Sequence, residues 1–138
     1  MNLRYLADTS ALTRMPKPPI AAVLGPMLVD GTIAVSAVVL LEMLRFTRSP
    51  ADHERLEANL SGVSCSPTTA DVCRRALDVQ RELARRSEHR GVKVPDLLIA
   101  AAAEAAELTV LHYDADYDRI GAVSGQRTEW VVPRGSVD

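Results

Sequence analysis

The stretch LHYDADYDRI (111–120) places Asp114, Asp116 and Asp118 at alternate positions directly after an apolar run. Like charges repel at such spacing, so folding alone gives no reason to group them, whereas a bound cation does. Other acids stand where they could join the group. Asp8 closes the strand-like run LRYLAD (3–8), and Asp96 follows Pro95 in the first turn of a very apolar helix. Glu42 falls in mid-helix among Val38, Val39, Leu40, Leu41, Met43 and Leu44. A buried, unpaired carboxylate is costly, so Glu42 must be neutralised, cation-bound or paired, with Arg45 one helix turn on as the local partner. Taken singly, Asp8 also suits a helix cap and Asp96 a helix N-terminal charge, and Asp118 reads as a surface acid.

Carboxylate ligands with no cysteine or histidine among them select a hard cation, Mg²⁺ or Mn²⁺. A calcium loop fails on spacing. With Asp114 as position one, Arg119 takes the place of the required glycine and Gly125 that of the bidentate glutamate. A hard dication held by carboxylates suits chemistry at phosphate, where it neutralises an oxygen and supplies hydroxide. The chain has no GxxxxGK[ST] loop and no GxSxG elbow, which removes P-loop nucleotide hydrolysis and serine hydrolysis. Of the three histidines, only His112 falls near the acids as a candidate base.

The elements that must position these residues alternate. TIAVS (32–36) and TVLHY (109–113) read as strands beside LRYLAD, VSCS (63–66) as a weak one and EWVV (129–132) as a closing one. A helix is expected over 19–31, broken or kinked at Gly25-Pro26, and Ser36 caps another running to about Arg48. DHERLEANL (52–60) reads as a short polar helix. The best amphipathic helix spans 68–89, capped by Thr68 or Thr69, with Val72, Cys73, Ala76, Leu77, Leu83 and Ala84 on its apolar face. DLLIAAAAEAAEL is apolar nearly all round and so central, and ADYDRIGAV is a short helix. This alternation predicts an α/β fold around a parallel sheet covered on both faces. Asp8, Asp114 and Asp116 then share the rim at the strands' carboxyl ends, where such sheets bind ligands.

The totals agree with one domain over residues 1–138: 47% of residues are hydrophobic, 25% are charged, and neither a repeat nor a low-complexity linker interrupts them. A net charge of −2 excludes a general polyanion binder, so nucleic acid would have to meet a local basic patch. The start lacks the charged and apolar regions of a signal peptide, and no apolar run reaches the roughly 18 residues of a membrane span. Cys65 and Cys73 have no histidine nearby to complete a zinc set and read as reduced core residues, which points to the cytoplasm.

Four segments, YLADTSAL around Asp8, VVLLEML around Glu42, VPDLLIAAAA around Asp96 and LHYDADYDRI around Asp114 and Asp116, closely resemble the signatures of PIN-domain ribonucleases. In particular they resemble VapC toxins of type II toxin–antitoxin systems, in order and spacing along nearly the whole chain. The resemblance implies a three-layer α/β/α fold with a mostly parallel sheet. It implies an endoribonuclease dependent on Mg²⁺, with Mn²⁺ as substitute, that is dimeric and held inactive by a VapB-type antitoxin. Antitoxins of this family often insert an arginine among the acids, a role its bidentate fork suits. By motif, Asp8 and Asp96 carry over as principal metal ligands. Glu42 and Asp114 complete the acidic pocket, Asp116 supports it and can bind metal through water, and Ser10 hydrogen-bonds it. His112 stands where the family often has threonine, and Tyr117 where phenylalanine is commoner.

An acidic pocket repels RNA, so the substrate needs another hold. The stretch 74–93 carries seven basic residues, Arg74, Arg75, Arg81, Arg85, Arg86, Arg90 and Lys93, against Asp78, Glu82 and Glu88. Arg81, Arg85 and Arg86 are its candidate phosphate contacts; the alternative is a solvated helix face laced with Glu–Arg pairs. Aromatic residues are only 4% of the chain, so base stacking contributes little and a structured RNA is the expected substrate. A receiver-type signalling domain would need an acid pair after the first strand, an aspartate ending a middle strand and a late lysine; the chain has Asp8 alone, SCSP, and no lysine after Lys93. An aspartyl phosphatase would want an acid where Ser10 stands. A fold-sharing module that binds RNA or a partner without cutting keeps every acid and remains the rival.

Overall fold

The computed structural model describes residues 2–138. Five strands, β1 (Tyr5–Ala7), β2 (Ile33–Ser36), β3 (Ser64–Ser66), β4 (Thr109–His112) and β5 (Thr128–Trp130), form one sheet in the order β3-β2-β1-β4-β5. Every pairing is parallel, with Tyr5 opposite both Ile33 and Thr109. Among the described residues seven helices connect and cover it: α1 (Thr9–Leu12), α2 (Pro18–Asp30), α3 (Ala37–Arg45), α4 (Pro50–Leu60), α5 (Ala70–Arg85), α6 (Val94–Ala105) and α7 (Asp116–Ser124). A 3-10 turn at His89–Gly91 separates α5 from α6.

The strand order decides where a ligand can sit. From β1 the chain moves outward through β2 to β3, then returns to the other side of β1 for β4 and β5. Loops leaving β1 and β4 therefore diverge and open a crevice beyond their carboxyl ends, the switch point at which open parallel sheets bind ligands. Leu6, Ala7, Val110 and Leu111 in these strands are buried, and α6 contributes Leu97, Ile99 and Ala100–Ala103 to the same core. The run of alanines lets α6 lie close against its neighbours, and burial of most of its middle, from Asp96 to Ala103 with Leu98 half-buried, explains its lack of a polar face.

Local chemistry sets the boundaries. Ser36 caps α3 by accepting from Val39 N, and Thr69 caps α5 by accepting from Val72 N at 3.2 Å. Gly31 ends α2 in the left-handed conformation at φ 71°, where a side chain would be strained. The expected break at Gly25-Pro26 does not occur. Pro26 lies within one continuous helix, so its missing N–H removes a hydrogen bond without ending the element. The short α1 was not expected as an element of its own; Asp8 starts it by accepting from Ser10 N.

The amphipathic face of α5 is Val72, Ala76, Val79 and Leu83, in steps of four and three. Cys73, Leu77 and Ala84, expected on that face, lie outside it, and Leu77 is 61% exposed. Both cysteines are free and exposed rather than in the core, because Cys65 sits on the edge strand β3 and Cys73 on the flank of α5. No helix among the described residues is long and apolar enough to cross a membrane.

Candidate metal centre

Three elements bring acids into the crevice. Asp8 follows β1, and its backbone N–H donates to Leu111 O, tying it to β4. Asp114 follows β4, and Asp116 opens α7. Asp96 enters from the first turn of α6, placed by Pro95 at the helix start. Carboxylate oxygens of Asp96, Asp114 and Asp116 lie within 4.8 Å of one another, close enough to share one cation. Asp8 is not in this trio. It joins through Tyr117, whose buried hydroxyl donates to Asp8 Oδ1 at 2.7 Å and lies 3.4 Å from Asp96 Oδ1.

Each acid is oriented by named partners. Asp8 is 2% exposed, and its Oδ2 accepts from Ser10 N at 3.0 Å and Ser10 Oγ at 2.5 Å. Ser10 Oγ in turn accepts from Tyr113 N at 2.8 Å, so this hydroxyl locks β1's exit to β4's. Asp114 Oδ1 accepts from Asp116 N at 2.9 Å, an Asx-type turn that begins α7 and leaves Oδ2 facing the crevice. Asp96 is 3% exposed, and its Oδ2 has no hydrogen-bond partner among the described residues. A buried carboxylate oxygen without a donor is unfavourable unless a cation or proton meets it.

Lys93, expected to serve the basic RNA stretch, points into the acids instead. Its Nζ lies 2.7 Å from Asp114 Oδ2, 2.8 Å from Asp116 Oδ2 and 3.5 Å from Asp96 Oδ2. Its backbone N–H also donates to Asp116 Oδ2, at 3.1 Å. The pocket thus contains a basic residue that reading the acids alone did not place there. The signal was the spacing of Lys93 three residues before Asp96 at a helix start.

This geometry divides the protonation states. Burial, reinforced by the charge of Asp8, pushes the Asp96 carboxyl up to about 8. Burial acts in the same direction on Asp116, but hydrogen bonds from the Lys93 ammonium and N–H outweigh it and hold that carboxyl below its usual range. Burial opposes the charge on Lys93, yet the acceptors Asp114 and Asp116 overcome it and keep the ammonium protonated. Burial and the charges of Asp8 and Asp96 keep the Tyr117 hydroxyl protonated as a donor.

The remaining expected residues fall as follows. Glu42 is half-buried at the rim, where its Oε1 accepts from Thr9 Oγ1 at 2.8 Å, beside Asp8 but outside the trio. Of its apolar neighbours on α3 only Val39 is buried, while Leu41 is 69% exposed, so Glu42 faces a more open surface than its sequence context implied. Arg45 is exposed and forms no ion pair with it; its guanidinium lies over the Phe46 ring. His112 is fully buried between the rings of Tyr117 and Trp130, its Nδ1 accepting from Asp114 N at 3.1 Å. Burial holds its pKa down, so His112 is a neutral support for the Asp114 turn rather than a base facing substrate. Asp118 is exposed and accepts from Trp130 Nε1. On α5, Arg81 pairs with Asp78 at 3.0 Å and Arg85 with Glu82, while Arg86 forms no ion pair among the described residues.

The oxygen-only donor set and the buried Asp96 Oδ2, which lacks a hydrogen-bond donor among the described residues, fit a hard divalent cation, with Asp96, Asp114 and Asp116 as the residues able to hold it and Asp8 adjoining. An all-parallel α/β sheet with acids at its β1/β4 switch point is the architecture of a small carboxylate-rich nuclease domain. The family model for the PIN domain matches residues 5–123, and the chain belongs to that family. It is 45% identical to Ribonuclease VapC51 of Mycobacterium tuberculosis across 100% of both chains. Its fold is also that of the DNA-bound VapBC from Salmonella typhimurium, with a TM-score of 0.77 at 18% identity, covering 94% of this chain and 99% of that one. A toxin–antitoxin complex from Klebsiella pneumoniae aligns with a TM-score of 0.72 at 17% identity, over 93% and 98% of the two chains.

Proposed function

We propose that this chain is a Mg²⁺-dependent endoribonuclease, with Mn²⁺ as a substitute, and the toxin of a VapBC-type toxin–antitoxin pair. The observation that carries this reading is the convergence of Asp96, Asp114 and Asp116 on one point beside Asp8, with Asp96 Oδ2 buried and without a hydrogen-bond donor among the described residues. The 45% identity, along the whole length, to a chain named a ribonuclease supports the substrate class. A divalent ion held there supplies electrophilic stabilisation of a phosphodiester and a hydroxide source near neutral pH.

The chain's own groups have distinct tasks in this scheme. Asp96, once ionised, would hold the ion together with Asp114 and Asp116. Ser10 and Tyr117 fix both oxygens of Asp8, so that its carboxylate faces the crevice without needing reorganisation. Glu42, steered by Thr9, adds negative charge at the rim where a water or a second ion can be oriented.

RNA is held outside the acids. Arg81, Arg85 and Arg86 line the exposed end of α5, from which the chain leads through the 3-10 turn to Lys93 at the pocket. The ion pairs of Arg81 and Arg85 within the helix are exposed and weak, so phosphates can replace the carboxylate partners. A VapB-type antitoxin is the partner suited to oppose this activity, by placing a cation among the acids. An apolar depression lined by Cys73, Leu77, Val94, Leu97 and Leu98, with Leu77 and Val94 both 61% exposed, supports self-association as a homodimer.

The test is incubation of purified protein with total RNA and Mg²⁺, with and without EDTA, beside Asp8→Asn and Asp96→Asn. Discrete fragments that vanish with EDTA and in both variants are the expected result. RNA that is retarded but intact would favour the binding-only alternative.

A further inference from the structure

The three carboxylates able to hold a cation already share one. Lys93 Nζ stands 2.7, 2.8 and 3.5 Å from oxygens of Asp114, Asp116 and Asp96, the same trio whose atoms lie within 4.8 Å of each other. Its position is built from two sides. The backbone N–H of Lys93 is fixed to Asp116 Oδ2, and the residue sits at the cap of α6 with extended backbone, so its stem must run back over the acids. A single positive charge does not neutralise Asp114 and Asp116 together, with Asp8 a hydroxyl away, and it leaves Asp96 Oδ2 at ion-pair rather than hydrogen-bond distance. The side chain is 60% exposed, so the ammonium has an open path into solvent.

We propose that Lys93 is a tethered counter-ion: its ammonium holds the metal-free trio together and yields its place when a divalent cation binds, so that the chain's metal affinity is set by competition with its own lysine. The inference rests on the reading above that the trio is a metal site. The physics is exchange of one cation for another at shared oxygens. An ammonium donates at about 2.8 Å, whereas Mg²⁺ requires oxygens at about 2.1 Å, so both cannot occupy the centre. Displacement breaks two charge-assisted hydrogen bonds and leaves a positive charge on a short tether beside the dication, and each effect weakens metal binding. Removing the ammonium should tighten binding about tenfold, the scale of one such contact discounted for its exposure.

The chain contains only two lysines, Lys17 and Lys93, which makes the displacement directly visible. Full-length protein carrying ¹³C-labelled lysine is titrated with MgCl₂ while calorimetry follows binding on the same sample. The Lys93 Cε–Hε cross-peak should move toward the solvent-exposed position in step with the binding heat, with that of Lys17 unmoved. Binding heat without movement of the Lys93 signal overturns the tether and leaves the metal site standing. No binding heat at all removes both. In a second arm, Lys93→Met should bind Mg²⁺ about tenfold more tightly and melt at lower temperature without metal, and Lys93→Arg should return the affinity toward that of the original protein. Equal or weaker Mg²⁺ binding by Lys93→Met would also overturn the proposal. Should that variant fail to fold, the lysine spectra of the unaltered chain decide alone.

Discussion

Replacing Asp96 by asparagine should destroy the proposed activity and yet make the metal-free protein more stable. The Asp96 carboxyl is raised from 3.8 to about 8 by burial and by the charge of Asp8. A carboxyl raised in the folded state contributes its stability in full below the unfolded value and loses it as pH rises toward the folded one. Between 3.8 and pH 7 that is about three pH units, or a ceiling of ~4 kcal/mol at 1.36 kcal/mol per unit. Asp116, whose carboxyl is held low beside Lys93, shares the proton balance and offsets part of this, leaving ~2–4 kcal/mol. Asparagine keeps the shape without the ionisation, so Asp96→Asn should raise the melting temperature by roughly 5–15 °C at pH 7 in EDTA. The gain should shrink to near zero by about pH 3, below the unfolded value of 3.8, where the native residue is largely protonated in both states. Paired thermal melts of the two proteins from pH 3 to 8 measure it. An Asp96→Asn protein that melts below the parent at pH 7, or a gap that does not change with pH, would refute the account of the pocket as an electrostatically loaded site.

Three further outcomes follow from the same geometry. Mg²⁺ binding at pH 7 should release up to one proton, because Asp96 must ionise; calorimetry in buffers of different ionisation enthalpy reads this, and the release should vanish above pH 9. Ser10→Ala removes a donor to Asp8 Oδ2 and the acceptor of Tyr113 N, and should cost ~2 kcal/mol in denaturant unfolding and weaken Mn²⁺ binding, with Ser10→Thr recovering most of both. Changing Arg81, Arg85 and Arg86 together to alanine should leave Mg²⁺ affinity unchanged while weakening RNA binding, with the slope of log affinity against log salt falling by about 2.

Much of this arrangement is legible in the sequence because it depends on local signals. Asp8, Asp114 and Asp116 follow short apolar runs, so a strand assignment alone puts them at carboxyl ends, and the topology of β1 beside β4 brings those ends together. Asp96 follows a proline that marks its helix start, and Ser10 lies two residues from Asp8, a spacing at which a hydroxyl reaches the carboxylate. What the sequence hides depends on tertiary contact. Lys93 reads as one of seven basic residues in a linear run, but a four-carbon stem lets its ammonium leave that run for acids twenty or so residues away. Tyr117 differs from phenylalanine by one hydroxyl, whose importance appears only when Asp8 and Asp96 are seen on either side of it. The continuity of α2 through Pro26 and the exposure of Cys73 and Leu77 follow from packing, which no single-residue preference encodes.

Diffraction from crystals soaked in MnCl₂, collected at the manganese edge, tests the account at its centre. It predicts an anomalous peak about 2.1 Å from oxygens of Asp96, Asp114 and Asp116, on the point now shared by Lys93 Nζ. An empty trio in crystals of protein that still cuts RNA with Mn²⁺, or a peak bound by other residues, would contradict it.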